Sequence, residues 1–296
     1  MTAHASSAVL VGRDADLAAL QDALKRTRSG EPSTVLVGGE AGVGKTRLVE
    51  EFRRSAAAAG ALVLTGQCLE LGEEGLPLAP FAAALRELVH RDGPAVFEGH
   101  ERDFARLLPE LGPPSELGGE ARRGYLFELV AGLFARLSEG RLLVLVLEDL
   151  HWADRSTRDL IGFLVRSARL PYVLLLATYR TDELQRGHPL RSFLAELDRV
   201  RGVQRQDLDR LDLDGTAELL THLLGGEPEP RTVDNVHERA QGNPFFIEQF
   251  AATGDEASCC DIPDSLRDLL LARVDRLPEP AQAILRVAAV GGTRFG

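Results

Sequence analysis

Apolar and polar positions along the chain follow two rhythms that alternate from residue 9 to about residue 208. Short continuous apolar runs occur at STVLV (33–37), ALVLTGQC (61–68), RLLVLVLEDL (141–150) and PYVLLLATYR (171–180). Runs of that length and β-branched content predict strands, and runs without alternation predict parallel strands buried on both faces. Between them, apolar residues return every three or four positions. VLVGRDADLAALQDALKRTRSG (9–30) predicts a lead-in followed by an amphipathic helix, and KTRLVEEFRRSAAAAG (45–60) a helix with Leu48, Val49 and Phe52 on one face. RSTRDLIGFLVRSARL (155–170) predicts a helix capped by Asp154 or Ser156, and HPLRSFLAELDR (188–199) another, with a fifth strand inside VQRQDLDRL (203–211). Residues 70–140 read as mostly helical, broken by Gly/Pro clusters at LGEEGLP and ELGPPSELGGE. Strand-helix alternation of this kind predicts an α/β fold with a parallel sheet flanked by helices.

After about residue 208 the strand rhythm stops. DGTAELLTHLLG, EPRTVDNVHERAQG and NPFFIEQFAATG predict three helices, TGDEASCCD a polar break, and IPDSLRDLLLARVDRL and PEPAQAILRVAAV two further helices. The chain stops at GGTRFG without a capping element, so it is expected to be part of a longer parent.

Composition narrows the function classes. With 44% hydrophobic and 27% charged residues, 296 residues make an ordinary globular chain of about two domains. A net charge of −11 with no dense Lys/Arg block argues against a broad nucleic-acid-binding face. No apolar run approaches the ~20 residues of a membrane span, and MTAHASSAVL lacks the pattern of a signal peptide. Cys68 and the adjacent pair Cys259 and Cys260 have neither disulfide-framework nor zinc spacing; reduced thiols and a cytoplasmic location are expected.

The chemistry concentrates at GGEAGVGKTRL (38–48). Gly39, Gly44, Lys45 and Thr46 fit G-x-x-x-x-G-K-[ST], the pattern of a P-loop NTPase. Glycines let backbone N–H groups curl around an anion, and the helix that follows turns its positive end toward it. Ala41, Gly42, Val43 and Arg47 complete the loop; Lys45 is placed for the β- and γ-phosphates and Thr46 for Mg²⁺. Lysine occurs only at 25 and 45, so chance matches to this pattern are on the order of 0.002 for a chain of this composition. At the end of the third strand, Glu148 and Asp149 are candidate catalytic and magnesium-binding carboxylates: one to hold Mg²⁺, the other to orient an attacking water. Arg180, at the end of the fourth strand, is either a γ-phosphate contact or a solvated strand-end arginine. Thr178 is a lesser candidate for a polar contact with the water. His151 and Trp152 serve either packing or the nucleotide site.

Together these segments resemble the AAA-like STAND ATPases, and more narrowly the N-terminal ATPase part of large ATP-binding LuxR-type transcriptional regulators; related modules sit beside some bacterial cyclases and kinases. The resemblance covers essentially the whole chain. VGRDADL (11–17) is similar to the family's hydrophobic-Gly-Arg-Glu motif, with Asp14 in place of Glu, and implies adenine- or ribose-proximal roles for Val11, Gly12 and Arg13. LVLEDLHWAD (145–154) resembles the Walker B signature, which more often reads Asp-Asp; Glu148 in first place leaves open which carboxylate serves the metal. ATYRTDE (177–183) resembles the first sensor strand and strengthens the case for Arg180. QGNPFFIEQF (241–250) resembles the Gly-x-Pro region and implies packing of Pro244 near adenine. The resemblance implies a P-loop core over 1–207, a helical lid over 208–260 and a truncated winged-helix start over 261–296.

It also implies ATP/ADP and Mg²⁺ as ligands, and self-association or a signal protein as partners of the parent. The helical-repeat sensor and helix-turn-helix of full members are not in this sequence, so no DNA binding is expected of this segment. Two main functions remain open. One is a slow ATPase used as a switch, in which ADP holds the lid on the core. The other is an ATP-driven AAA+ enzyme such as a replication-initiation or remodelling ATPase, which would use a lid arginine, Arg231 or Arg239. A nucleotide-binding remnant without turnover is a third reading.

Overall fold

The computed structural model describes residues 9–70, 76–114, 121–167, 170–252, 271, 274 and 279–291. Chain contacts divide into one compact unit over Arg13–Asp209 and a second formed by the residues before Arg13 and from Arg210 onward.

In the first unit, helix α1 (Asp14–Arg28) leads into strand β1 (Ser33–Gly38), helix α2 (Lys45–Ala58) and strand β2 (Leu62–Gln67). Helix α3 (Ala79–Asp92), a short turn α4 (Glu101–Phe104) and α5 (Ala121–Leu137) follow. Strand β3 (Leu143–Glu148), helix α6 (Arg155–Arg166), strand β4 (Val173–Thr178), helix α7 (Pro189–Leu197) and strand β5 (Val203–Asp207) complete it. The five strands form one sheet in the order β2-β3-β4-β1-β5, and every pair is parallel. All six residues of β1 and all six of β4 are buried, and so are the first five of β3, as continuous apolar runs require.

Alternation along the strands separates two faces. Leu143, Leu145 and Leu147 of β3 share a core with Phe81 and Leu85 of α3, Phe134 of α5, Leu160 and Ile161 of α6 and Leu194 of α7. Helices α1 and α2 pack on each other, and Leu20, Leu48, Val49 and Phe52 are fully buried. The stripe expected at 48, 49 and 52 is therefore the buried face of α2. Helix α6 begins where the sequence places it: the Asp154 carboxylate accepts the N–H groups of Ser156 at 2.7 Å and Thr157 at 3.2 Å, so Asp154 and not Ser156 is the cap.

Edge strand β2 is held against α3 at close range. The N–H of Thr65 donates to Glu87 Oε2 at 3.3 Å. A Cβ added at Gly66 would lie 1.8 Å from the carbonyl oxygen of Pro80. That neighbour is backbone, so relief requires moving the start of α3. Gly66→Ala is expected to lower stability by about 1–3 kcal/mol, the usual cost of overpacking. Urea unfolding of the two proteins checks it; an unchanged midpoint would show that α3 is free to shift.

The opposite edge, β5, carries the polar sequence VQRQD with exposed Gln204, Arg205 and Asp207. Its side chains are tied to neighbouring elements: Gln206 to Asp16 at 2.7 Å, Arg205 to the Tyr179 hydroxyl at 2.8 Å, that hydroxyl in turn donating to Asp207 at 3.1 Å, and Gln204 accepting from Arg26 at 2.8 Å.

The second unit contains α8 (Leu213–Leu224), α9 (Pro230–Ala240) and α10 (Pro244–Ala252), with α11 (Glu279–Gly291) further along the chain. Leu219, Leu220, Val233, Val236, Ile247 and Phe250 form its core, and Val11 and Leu211 join them. The polar break with Cys259 and Cys260 lies outside the described residues; of the winged-helix start expected at 261–296, only residues 271, 274 and 279–291 are described. No helix among the described residues is long and apolar enough to cross a membrane.

Candidate functional site

Strand order decides which residues meet. The carboxyl end of β1 opens into the glycine loop, and β4 lies between β1 and β3. The exit of β4 is consequently stitched to both neighbours. Tyr179 N–H donates to Val37 O at 3.0 Å and Thr181 N–H to Gly39 O at 3.2 Å, on the β1 side. On the β3 side, the buried Thr178 hydroxyl accepts the N–H of Asp149 at 3.1 Å. Thr178 thus holds the carboxylate-bearing backbone in place.

In the loop itself, Gly42 and Gly44 have φ of +80° and +103°, conformations in which a Cβ is strained. They bend the chain so that α2 begins at Lys45 with its first turn at the loop. Thr46 stands exposed in that turn and Arg47 is half-buried beside it. The Lys45 side chain is folded back into the loop, with Nζ donating to the carbonyls of Gly39 and Glu40, each at 2.8 Å. Burial and the nearby Arg180 guanidinium push the Lys45 ammonium down to about 8. An anion seated between these two cations would offset both effects, which is the electrostatic demand a polyphosphate meets.

The carboxylates differ in setting. Asp149 adopts φ +61°, a left-handed conformation for a non-glycine residue at a strand end. Gln67 Nε2 at the end of β2 donates to its Oδ2 at 3.0 Å, and its charge acts on Lys45. Glu148 is the last residue of β3. Burial, then the charge of Asp149, raise its carboxyl above the usual range, and Arg53 of α2 opposes the shift. A divalent cation near the pair would relieve this, so the donor set of Thr46, Glu148 and Asp149 fits Mg²⁺ held partly by phosphate oxygens and water.

Arg180 also belongs to this cluster. Its guanidinium lies 5.2 Å from the Trp152 ring centroid and donates to Glu183 Oε1 at 2.6 Å. Its backbone N–H donates to Nδ1 of the buried His151 at 3.3 Å. His151 Nε2 then faces Glu183 Oε2 at 3.4 Å and Asp149 Oδ1 at 3.9 Å. Burial lowers the His151 pKa, consistent with a neutral ring that accepts at Nδ1. The sequence did not single out Gln67 or Glu183. Glu183 had one available signal, an acidic residue three places after Arg180; Gln67 had none beyond its position at a strand end.

Arg13 is buried, and burial lowers its pKa. It braces the glycine loop from behind, its guanidinium donating to Val43 O at 2.9 Å and Asp209 O at 2.6 Å. Val11 and Gly12 belong to the second unit, where Val11 joins the apolar core. In that unit Gly242 must be glycine: at φ +71° an added Cβ would lie 2.0 Å from Leu211 O, and Leu211 N–H donates to Gly242 O at 2.8 Å. Asn243 Oδ1 accepts the N–H of Phe245 at 3.1 Å, and Pro244 opens α10. Arg239 stacks at 5.0 Å over Phe250, and Arg231 is exposed in the first turn of α9.

Comparison with known proteins agrees with the fold. Residues 9–176 match the AAA ATPase domain model. An uncharacterized protein of Rhizobium meliloti (strain 1021) is 29% identical over 96% of this chain, which spans only 30% of that relative. Among solved structures, a Walker-type ATPase of Pyrococcus abyssi superposes with a TM-score of 0.61 at 15% identity, covering 97% of this chain and 86% of that one. A STAND protein with a tetratricopeptide-repeat sensor from Pyrococcus horikoshii gives 0.53 at 15% identity, over 92% of this chain and 33% of that one. Cdc6p from Pyrobaculum aerophilum gives 0.51 at 16% identity, over 83% and 62%. These likenesses show a shared fold of parallel sheet and flanking helices. With more than half its length matched by the family model, the chain belongs to the AAA ATPase domain family.

Proposed function

We propose that this chain binds ATP and ADP with Mg²⁺ and hydrolyses ATP slowly, as the nucleotide switch of a larger signal-transducing protein. One observation carries the nucleotide reading: Lys45, Arg180, Glu148 and Asp149 collect at the carboxyl ends of three adjacent strands, where burial and then the charge of Arg180 lower the Lys45 pKa. Ligands of open α/β sheets bind at that edge. The loop from Gly39 to Thr46 would hold the phosphates. Mg²⁺, when bound, would neutralise phosphate charge, with Thr46, Glu148 and Asp149 as its protein-side donors. Asp149 is our candidate for orienting the attacking water, because Gln67 and Thr178 fix its carboxylate and backbone.

The switch reading rests on the second unit and on the parent. Neither candidate arginine of an engine is committed to that role: Arg239 lies over Phe250 and Arg231 faces solvent. We propose Val11, Gly12 and Pro244 as adenine-side contacts, and Arg13 as a brace of the loop. The Rhizobium relative is over three times the matched length, the relation expected of an ATPase part within a multidomain chain. Together with the motif resemblance, this supports a cytoplasmic LuxR-type transcriptional regulator that self-associates or meets a signal protein. A cyclase or kinase output is the alternative parent.

Arg180 reads the γ-phosphate in this account. Arg180→Ala is expected to weaken binding of a non-hydrolysable ATP analogue by about 10- to 100-fold, the scale of one charged hydrogen bond. ADP affinity should stay within about twofold. Titration calorimetry with both nucleotides checks it, and equal losses for the two would remove Arg180 from that role.

A further inference from the structure

The carboxylate of Glu183 has one oxygen on each of two functional neighbours. Oε1 accepts from Arg180 at 2.6 Å, while Oε2 lies 3.4 Å from Nε2 of His151. His151 accepts the Arg180 backbone N–H at Nδ1, so its ring proton sits on Nε2. That nitrogen is buried and has no hydrogen-bond partner: Asp149 Oδ1 is too distant at 3.9 Å, and Glu183 Oε2, at 3.4 Å, is near but not aligned to accept. A buried donor left unmade is costly, and it stands directly behind a carboxylate that is engaged elsewhere.

A γ-phosphate and the Glu183 carboxylate are rival acceptors for one guanidinium. When Arg180 turns to phosphate, Glu183 is released next to a donor 3.4 Å away that needs only realignment to form a hydrogen bond. The arrangement therefore has two satisfied states: Arg180 on Glu183, or Arg180 on phosphate with Glu183 on His151. The Arg180–Glu183 pair is about one-third exposed, which keeps it weak enough for a phosphate to displace. Trp152, stacked beside the guanidinium, is positioned to guide the swing and to hold Arg180 near the site in both states.

Resting on the reading of Arg180 as a γ-phosphate contact, we infer that Glu183 is a competing counter-ion that sets how strongly the site prefers ATP to ADP. Glu183 itself touches no phosphate; it is a positioning residue that acts through Arg180.

The test is a double-mutant cycle on the full chain, read as dissociation constants for methylene-bridged ATP and for ADP, both with Mg²⁺. Glu183→Gln keeps the size and removes the charge. It is expected to tighten the ATP analogue on the order of fivefold, the scale of a partly exposed ion pair, and to leave ADP within about twofold. The unchanged ADP value also shows that the variant is folded. In the Arg180→Ala background, Glu183→Gln should change neither affinity. The inference is overturned if Glu183→Gln weakens the analogue. It is equally overturned if tightening persists at full size without Arg180, since Glu183 would then act by simple charge repulsion. If Arg180→Ala alone leaves the ATP/ADP ratio unchanged, the γ-phosphate reading fails instead, and the cycle separates that result from the other two.

Discussion

Lys45→Ala is expected to abolish the thermal stabilisation that ADP or ATP gives the wild-type protein. A ligand at 100 times its Kd adds ~2.7 kcal/mol to the folded state. For a domain of this size that corresponds to a melting-temperature rise of roughly 5–10 °C. The whole shift depends on Lys45 in this account, because its ammonium is the charge folded into the loop, 2.8 Å from the carbonyls of Gly39 and Glu40. Its substitution also leaves Arg180 as the nearest cation without a second charge beside it. The apo protein should lose little, since the buried ammonium sits at an electrostatic cost that lowers its pKa to about 8. Differential scanning fluorimetry with and without nucleotide measures the effect. An undiminished shift in the variant would remove the glycine loop from nucleotide binding.

The second large effect concerns turnover. Asp149→Ala is expected to reduce hydrolysis by ~10²-fold or more, the scale of losing a positioned general base, with ADP affinity within about twofold. Gln67 and Thr178 hold that residue from two neighbouring strands, its backbone in a left-handed conformation at φ +61°. Glu148→Ala serves as the comparison: burial and the charge of Asp149 raise its carboxyl above the usual range. If Glu148→Ala reduces turnover more than Asp149→Ala, the two roles are exchanged, with Glu148 the more critical carboxylate. Single-turnover phosphate release in the two variants decides the order.

Much of this site was legible in the sequence because its parts are local. The glycine loop is a contiguous pattern, and β1, β3 and β4 are apolar runs with the candidate residues at their ends. Helix α2 was legible from its stripe at 48, 49 and 52. The strand order was less so: no periodicity says that β4 separates β1 from β3, yet this is why Thr178 meets Asp149 and Thr181 meets Gly39. Strand β5 was visible only as an expectation within VQRQDLDRL, since an exposed edge strand lacks the buried apolar pattern. Glu183, His151 and Gln67 were invisible as a group because their meeting depends on a non-local arrangement. His151 was left between packing and the nucleotide site; the structure shows it buried, accepting the Arg180 backbone N–H at Nδ1, with Nε2 3.4 Å from the Glu183 carboxylate. Arg13 was singled out by its motif resemblance alone; its guanidinium contacts, to the backbone of Val43 and Asp209 and to the Asp16 carboxylate, join segments that no local pattern relates.

The central claim is that nucleotide is held as a switch. Slow ADP release would make product departure, not bond cleavage, limit each cycle. The most direct measurement is pre-steady-state phosphate release followed alongside ADP dissociation on the same protein. The account predicts one burst of phosphate per chain, followed by turnover at the ADP dissociation rate and far below the ~10 s⁻¹ typical of enzymes. Rapid multiple turnover with fast ADP exchange would contradict it and assign the chain to the ATP-driven engines.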